Sequence, residues 1–144
     1  SDVCSSDLDV QRPDVQPAGN GRGMFTADEE GAFWFRTVVP SHYPIPTDGP
    51  VGRLLAASER HPYRPAHVHL IVDADGFEPL TTHLFVADSP YLDSDAVFAV
   101  KPSLVRDFAV VEDRAEAERY GVGVPFRRAH FEVQLVAQQD EETT

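Results

Sequence analysis

The chain has 144 residues, with 12 basic and 24 acidic side chains and a formal net charge of −12. This length fits one domain, and a hydrophobic fraction of 42% is typical of a globular protein. The acidic balance argues against nucleic acid or an anionic membrane surface as the main partner. A single cysteine excludes an internal disulfide framework. No apolar run approaches the ~20 residues of a membrane span, so we expect a soluble, cytoplasmic protein.

The first eight residues, SDVCSSDL, fit poorly with the sequence that follows them. The string resembles the in-frame translation of a common sequencing-library adapter, so we expect Ser1–Leu8 not to belong to the natural protein. An ordinary flexible polar terminus is the alternative. We therefore expect natural sequence from near Asp9, one domain over residues 9–137 that is incomplete at its N-terminal side, and a polar tail over residues 138–144.

Turn signals and short apolar runs organise the next part of the chain. Asp28–Gly31 predicts a turn between two hairpin arms, Met24–Thr26 and Ala32–Val38, the second rich in aromatic and β-branched residues. Tyr43–Pro50 (YPIPTDGP) predicts a loop, because its three prolines exclude a regular helix. Gly52–Ser58 predicts about two helical turns.

The remaining sequence predicts strands and one short helix. The predicted strands are Ala66–Val72, Thr81–Val86, a segment near Val97–Val100, and Arg128–Ala137. An Asp75–Gly76 turn follows the first of them. Asp113–Tyr120 predicts a helix with Asp113 as its N-cap and Gly121 beyond its end. The whole pattern predicts an all-β fold, a β-sandwich with short helices and long loops.

Two histidines lie two residues apart in the segment Arg64-Pro65-Ala66-His67-Val68-His69. Side chains at this spacing on a strand share a face, so His67 and His69 can converge on one metal ion. The rest of the strand is strongly apolar, and imidazole nitrogens held there need partners. A strand can also carry two polar histidines without any function, and the pattern alone leaves both interpretations open.

Tyr43 and Arg64 complete the cluster of candidate residues. A tyrosine phenolate is a hard anionic donor that suits ferric iron, although a tyrosine packed with its hydroxyl on a backbone carbonyl is the commoner case. Arg64 can direct a fixed cation at an anionic substrate, or it can form an ordinary salt bridge with one of the many acids.

Three segments together resemble the intradiol ring-cleavage dioxygenases, with the hydroxyquinol branch nearest and the catechol branch next. They are YPIPTDGPVGRLL, RHPYRPAHVHL and GFEPLTTHLFVADSPYLDSDAVFAVKPSL. The resemblance implies a non-haem Fe(III) ion held by two tyrosines and two histidines in a β-sandwich. It assigns Tyr43, His67 and His69 as metal ligands and Arg64 as the residue that stabilises the carbanion-like substrate. The implied reaction opens hydroxyquinol or a catechol between its vicinal hydroxyls with O2, giving a muconate or maleylacetate-type product.

The resemblance also implies roles for His83 and for two pocket residues. His83 stands where catechol-type members usually have glutamine, so it looks more like the hydroxyquinol branch and would donate a hydrogen bond to oxygen or substrate. The alternative is that His83 lies beside the metal ligands, forms hydrogen bonds with the protein and does not contact oxygen or substrate. Ala96 and Val97 fall in a segment where family members vary, and we expect them to contact substrate.

One ligand of the family pattern is missing from this chain. The family's other tyrosine usually comes just before Asp-Val-Gln, and here Leu8 precedes Asp9-Val10-Gln11. We therefore expect this chain to be impaired or inactive. The resemblance also implies that the full-length protein is a homodimer. Two rival interpretations are a non-catalytic β-sandwich binding module and a cupin-like metalloenzyme. A cupin would need a glutamate soon after His-x-His, where only Asp73 is near.

Overall fold

The computed structural model describes residues 3–4, 19 and 21–139, with residues 3–4 described by their backbone alone. Short strands and loops make up most of this part of the chain. The strands are β1 (Val3–Cys4), β2 (Tyr43–Pro44), β3 (Tyr63–Arg64), β4 (His67–Val72), β5 (Leu80–Val86), β6 (Val105–Arg106), β7 (Ala109–Val111) and β8 (Phe126–Arg128). The helices are α1 (Pro50–Ala57), α2 (Arg114–Tyr120) and a 3-10 turn at Pro102–Leu104.

The strands form one four-stranded sheet and two strand pairs. The order in the larger sheet is β1-β4-β5-β6; β1 runs antiparallel to β4, and β5 runs parallel to β6. The antiparallel pair β2–β3 sets Tyr43 opposite Arg64, and the antiparallel pair β7–β8 sets Ala109 opposite Arg128. The pairing of β2 with β3 therefore brings two of the predicted site residues to neighbouring positions.

Contacts between Cα atoms divide the chain into two compact units. The first consists of Ser1–Thr37, Val68–His83 and Phe131–Thr144, and Leu70 is fully buried in it. The second consists of Val38–His67 and Leu84–His130, and Phe85 is fully buried in it. No helix of the described residues is long and apolar enough to cross a membrane.

Several predicted elements are confirmed because each carries a strong local signal. Strands β4 and β5 match the predicted strands at Ala66–Val72 and Thr81–Val86 within one residue at each end. Helix α1 begins at Pro50, whose missing N–H costs nothing in the first turn. Helix α2 has the predicted cap: the Asp113 carboxylate accepts the Glu116 N–H at 3.0 Å, and Gly121 is left-handed with φ 61°.

Three predicted strand segments need correction. The segment near Val97–Val100 is a loop, because the Asp95 carboxylate binds the Val97 and Ala99 N–H groups that a strand would pair. Residues 129–136 alternate between half-buried and exposed as predicted. Within the predicted strand Arg128–Ala137, however, only Arg128, at the end of β8, and Ala137, in an isolated antiparallel bridge with Phe77, are paired. In the predicted hairpin the turn forms, with Asp28 Oδ1 accepting the Ala32 N–H at 2.7 Å. Its arms are not regular strands; the stacked rings of Phe25 and Phe35 join them.

The predicted division of the chain stays a prediction. Of Ser1–Leu8 the structure describes only Val3–Cys4, whose backbone pairs with β4; Leu8 and Asp9 lie outside the described residues. At the other end, the Gln138 N–H donates to the Gly76 carbonyl at 2.9 Å, and residues 140–144 lie outside the described part.

Candidate metal centre

Two hydrogen bonds of the Ala66 backbone fix the chain just before β4 and thereby position the histidines that follow. The Ala66 N–H donates to Ser89 Oγ at 2.7 Å, and the Ala66 carbonyl accepts the Val86 N–H at 3.0 Å. His67 comes directly after Ala66 and is buried. The Tyr43 ring lies 5.6 Å from the His67 ring, centroid to centroid. The predicted ligands Tyr43 and His67 are thus brought together.

Hydrogen bonds of His67 decide which of its nitrogens can bind a metal ion. Nδ1 lies 2.7 Å from the carbonyl oxygen of Pro65, which can only accept, so Nδ1 carries the proton. Nε2 therefore keeps its lone pair, and it accepts a hydrogen bond from Nη1 of Arg64 at 3.2 Å. A backbone carbonyl that orients an imidazole in this way is the usual outer partner of a histidine ligand.

Three histidines form a cluster of potential ligands. The His69 and His83 rings are half-buried, and their centroids are 4.3 Å apart. One ring nitrogen each of His67, His69 and His83 lies within 4.8 Å of the other two. This triad can bind a metal ion, and neutral imidazole suits iron, zinc, copper and nickel.

A buried ion pair lies beside His67. Arg64 is 7% exposed and Asp95 is 3% exposed, and Nε of Arg64 lies 3.2 Å from Oδ1 of Asp95. Burial raises the pKa of Asp95, but hydrogen bonds from Arg64, Ala99 and Val97 and the attraction of the guanidinium outweigh it. The net result is a pKa below the ordinary value for aspartate.

One nitrogen of the Arg64 guanidinium is left without a hydrogen-bond partner. This atom is Nη2. Among the described residues, it is the one buried side-chain nitrogen or oxygen that forms no hydrogen bond. Leaving a buried cationic N–H unpaired costs free energy unless a ligand supplies an acceptor. An anionic oxygen of a bound molecule would meet that need.

The predicted pocket residues follow Asp95 in the same loop. Ala96 is buried, its N–H donates to the Tyr63 carbonyl at 3.1 Å, and Val97 is 45% exposed. Asp95 itself was missed by the sequence reasoning. The segment Tyr91–Asp95 (YLDSD) contains two acids, and nothing in one sequence shows which of them is buried against an arginine.

A family model described as "Dioxygenase" matches residues 7–136. The chain belongs to the intradiol ring-cleavage dioxygenase family. It is 57% identical over 113 residues to hydroxyquinol 1,2-dioxygenase of Rhizobium sp. (strain MTP-10005), covering 78% of this chain and 38% of that protein. It is 42% identical over 98 residues to catechol 1,2-dioxygenase of Candida albicans, covering 68% and 32%.

A solved dioxygenase has a similar structure. The crystal structure of hydroxyquinol 1,2-dioxygenase from Pseudomonas putida DLL-E4 superposes with a TM-score of 0.79 at 42% sequence identity. The match covers 95% of this chain and 49% of that one. The resemblance inferred from the sequence motifs is confirmed, and the chain spans less than half the length of these dioxygenases.

Proposed function

We propose that this chain is the catalytic part of an enzyme that opens the ring of hydroxyquinol, or of a catechol, between its vicinal hydroxyls with O2. The product would be a muconate or maleylacetate-type acid. The observation that carries the proposal is the unpaired, buried Nη2 of Arg64 in a guanidinium that also binds the predicted ligand His67. The three-histidine cluster and the names of the relatives support it.

Tyr43, His67 and His69 are the proposed ligands of a non-haem Fe(III) ion. The donor set fits, because a phenolate oxygen and neutral imidazoles suit ferric iron. The Pro65 carbonyl keeps the proton of His67 on Nδ1, so an ion at Nε2 would take the place of the Arg64 N–H that this nitrogen accepts. When bound, a ferric ion supplies Lewis-acid activation of a catecholate. Tyr43 is the proposed ligand whose place the substrate would take, and its phenolate oxygen would accept a proton from a diol hydroxyl.

Arg64 and His83 act on the substrate in this proposal. The Nη2 N–H of Arg64 donates to an anionic substrate oxygen in a buried setting, where a fixed cation stabilises developing negative charge more than it would in water. His83 donates from its ring to a substrate oxygen or to O2. Ala96 and Val97 are the proposed apolar contacts of the aromatic ring.

The finer features follow from the same proposal. Hydroxyquinol is favoured over catechol by His83 at a position where catechol-type members usually carry glutamine.

We propose that the sheets form a β-sandwich and that the full-length protein is a homodimer. The cytoplasmic location expected from the sequence stays a prediction. The binding-module and cupin-like alternatives are not favoured, because the relatives are ring-cleaving dioxygenases.

The test combines metal content with oxygen uptake. The 144-residue chain is refolded with ferric iron, and its iron content and visible tyrosinate-to-iron absorption are measured against His67→Ala as a matched control. Oxygen uptake is then followed with hydroxyquinol. We expect stoichiometric iron in the unmodified chain, none in the control, and slow uptake, since Leu8 stands where the second tyrosine is expected. A chain that takes up no iron would support the binding module instead.

A further inference from the structure

Asp95 holds its carboxylate with three donors, although no sequence motif points to it. Oδ1 accepts from Nε of Arg64 at 3.2 Å and from the Val97 N–H at 3.3 Å, and Oδ2 accepts from the Ala99 N–H at 2.9 Å. The side chain is 2% exposed. A carboxylate with this many donors has one stable orientation, because moving it would leave buried N–H groups unpaired.

The contacts of Arg64 fix the direction of its one unpaired nitrogen. Nε is bound by Asp95, Nη1 is bound by His67, and Nη2 has no partner among the described residues. A guanidinium is planar and its five N–H bonds point in fixed directions. In the metal-free chain two bonded nitrogens therefore set both the plane of the group and the direction of Nη2. With an ion on Nε2 of His67, the Nε contact with Asp95 is the one that remains.

We propose that Asp95 is the positioning residue of Arg64: it holds the guanidinium so that Nη2 faces the anionic oxygen of the substrate. This inference rests on the proposed function, in which Arg64 binds that oxygen. In this proposal Asp95 orients the guanidinium, and Arg64 contacts the substrate oxygen. Removing Asp95 leaves the positive charge in place but lets the guanidinium rotate about its long side chain.

A second arginine anchors Asp95 independently of Arg64. Nη2 of Arg60 donates to the Asp95 carbonyl at 3.2 Å and to the Ala96 carbonyl at 3.3 Å, and its guanidinium carbon lies 3.9 Å from the centroid of the Phe98 ring. Phe98 has φ 56°, a backbone conformation that persists only where surrounding contacts impose it. The backbone of Asp95 is therefore held by contacts that do not involve Arg64.

The first test needs neither metal nor substrate. In metal-free chain, the Nε–H of Arg64 is observed by 1H–15N NMR and its exchange with water is measured. We expect slow exchange in the unmodified chain and exchange at least about tenfold faster in Asp95→Asn, because the charge-assisted bond is lost. Asp88→Asn is the matched control: Asp88 pairs with Arg127 at 2.7 Å at an exposed position, so Arg64 should be unchanged. Slow Arg64 exchange in Asp95→Asn would overturn the proposal.

The second test asks whether Asp95 acts only through Arg64. Ferric chain is titrated anaerobically with hydroxyquinol, and binding is read from the visible absorption. We expect Asp95→Asn to keep its iron and bind hydroxyquinol roughly ten- to a hundredfold more weakly. In the Arg64→Gln background, adding Asp95→Asn should change binding less than about twofold. Equal losses in both backgrounds would show a general structural role and overturn the proposal.

If Asp95→Asn does not fold, Arg64→Lys is used in its place. Lysine keeps the positive charge but lacks the planar guanidinium that Asp95 orients. We expect it to bind hydroxyquinol as weakly as Arg64→Gln, and binding near that of the unmodified chain would contradict the proposal. If the unmodified ferric chain binds no hydroxyquinol, the proposed function fails, while the NMR result still decides whether Asp95 orients Arg64.

Discussion

At the residue scale, His67 and His83 are both histidines of one cluster, but their surroundings differ. His67 is buried and its Nδ1–H is held by the Pro65 carbonyl, whereas His83 is half-buried with its ring against His69. We expect His67→Ala to abolish stoichiometric iron binding, since it removes a ligand. His83→Gln should retain iron with affinity lowered by about ten- to a hundredfold, as for a residue beside the ligands. Metal analysis after dialysis against a chelator checks both. Loss of iron in His83→Gln would make His83 a ligand.

Asp95 also predicts how stability depends on pH. Its pKa in the folded chain is below the ordinary value, so its contribution to folding is complete above the unfolded-state pKa of about 3.9 and is lost as the pH falls through the lower folded value. We expect the free energy of unfolding of the unmodified chain to fall below about pH 4 more steeply than that of Asp95→Asn. Urea unfolding of metal-free chain from pH 6 to pH 2 measures this. Parallel curves for the two proteins would contradict the prediction.

Sequence information was uneven among the site residues. The sequence makes Tyr43, Arg64, His67 and His69 candidates, because the spacing of the two histidines suits a metal ion and the resemblance to the dioxygenase family implies the four roles. Asp95 was not a candidate, because its role depends on a contact across 31 positions with Arg64. Such a contact leaves no periodicity in the chain, and an acid in a loop otherwise predicts a solvated side chain.

At the element scale, local signals predicted the helices and the central strands, and long-range contacts explain the errors. Helix α2 has a capping aspartate and a terminal glycine, and β4 is apolar apart from its two histidines; both signals lie in or directly beside the element. Residues 129–136 show the opposite case. Their alternating burial follows from the alternating sequence, but pairing into a ladder depends on partners elsewhere in the chain, and sequence alternation does not specify those.

Helix α1 lies close to the segment that joins it to β2, and Gly52 makes this approach feasible. A Cβ atom at Gly52 would collide with the backbone of Thr47 in that segment, which cannot move as a side chain can. We expect Gly52→Ala to lower the free energy of unfolding by about 1–3 kcal/mol, and to weaken iron binding by displacing the segment that follows Tyr43. Chemical unfolding and iron titration measure the two effects. Gly123→Ala is the matched control, because a Cβ there meets nothing within 4 Å. Equal stability of the two variants would contradict the close packing.

At the scale of the whole molecule, a net charge of −12 opposes the approach of an anion. The proposed diol substrate arrives with its hydroxyls protonated, and salt screens the exposed charges over about 8 Å, so this repulsion does not keep the substrate away. The Arg64 guanidinium then supplies a positive charge where the rest of the molecule supplies a negative one. Acidic composition and binding of a catecholate are therefore compatible, provided that the cation is held in place beside the ligands.

The family pattern implies a second tyrosine ligand directly before Asp-Val-Gln, where this chain has Leu8. Leu8 lies outside the described residues, so this prediction rests on the sequence Leu8-Asp9-Val10-Gln11 and the family pattern with tyrosine before Asp-Val-Gln. We expect Leu8→Tyr to bind ferric iron at least about tenfold more tightly and to intensify the tyrosinate-to-iron absorption, because it adds an anionic oxygen donor. Leu8→Phe is the matched control, since it adds the ring without the phenol. If the two variants bind iron equally, position 8 does not contribute a ligand, and the impairment expected of this chain must have another cause.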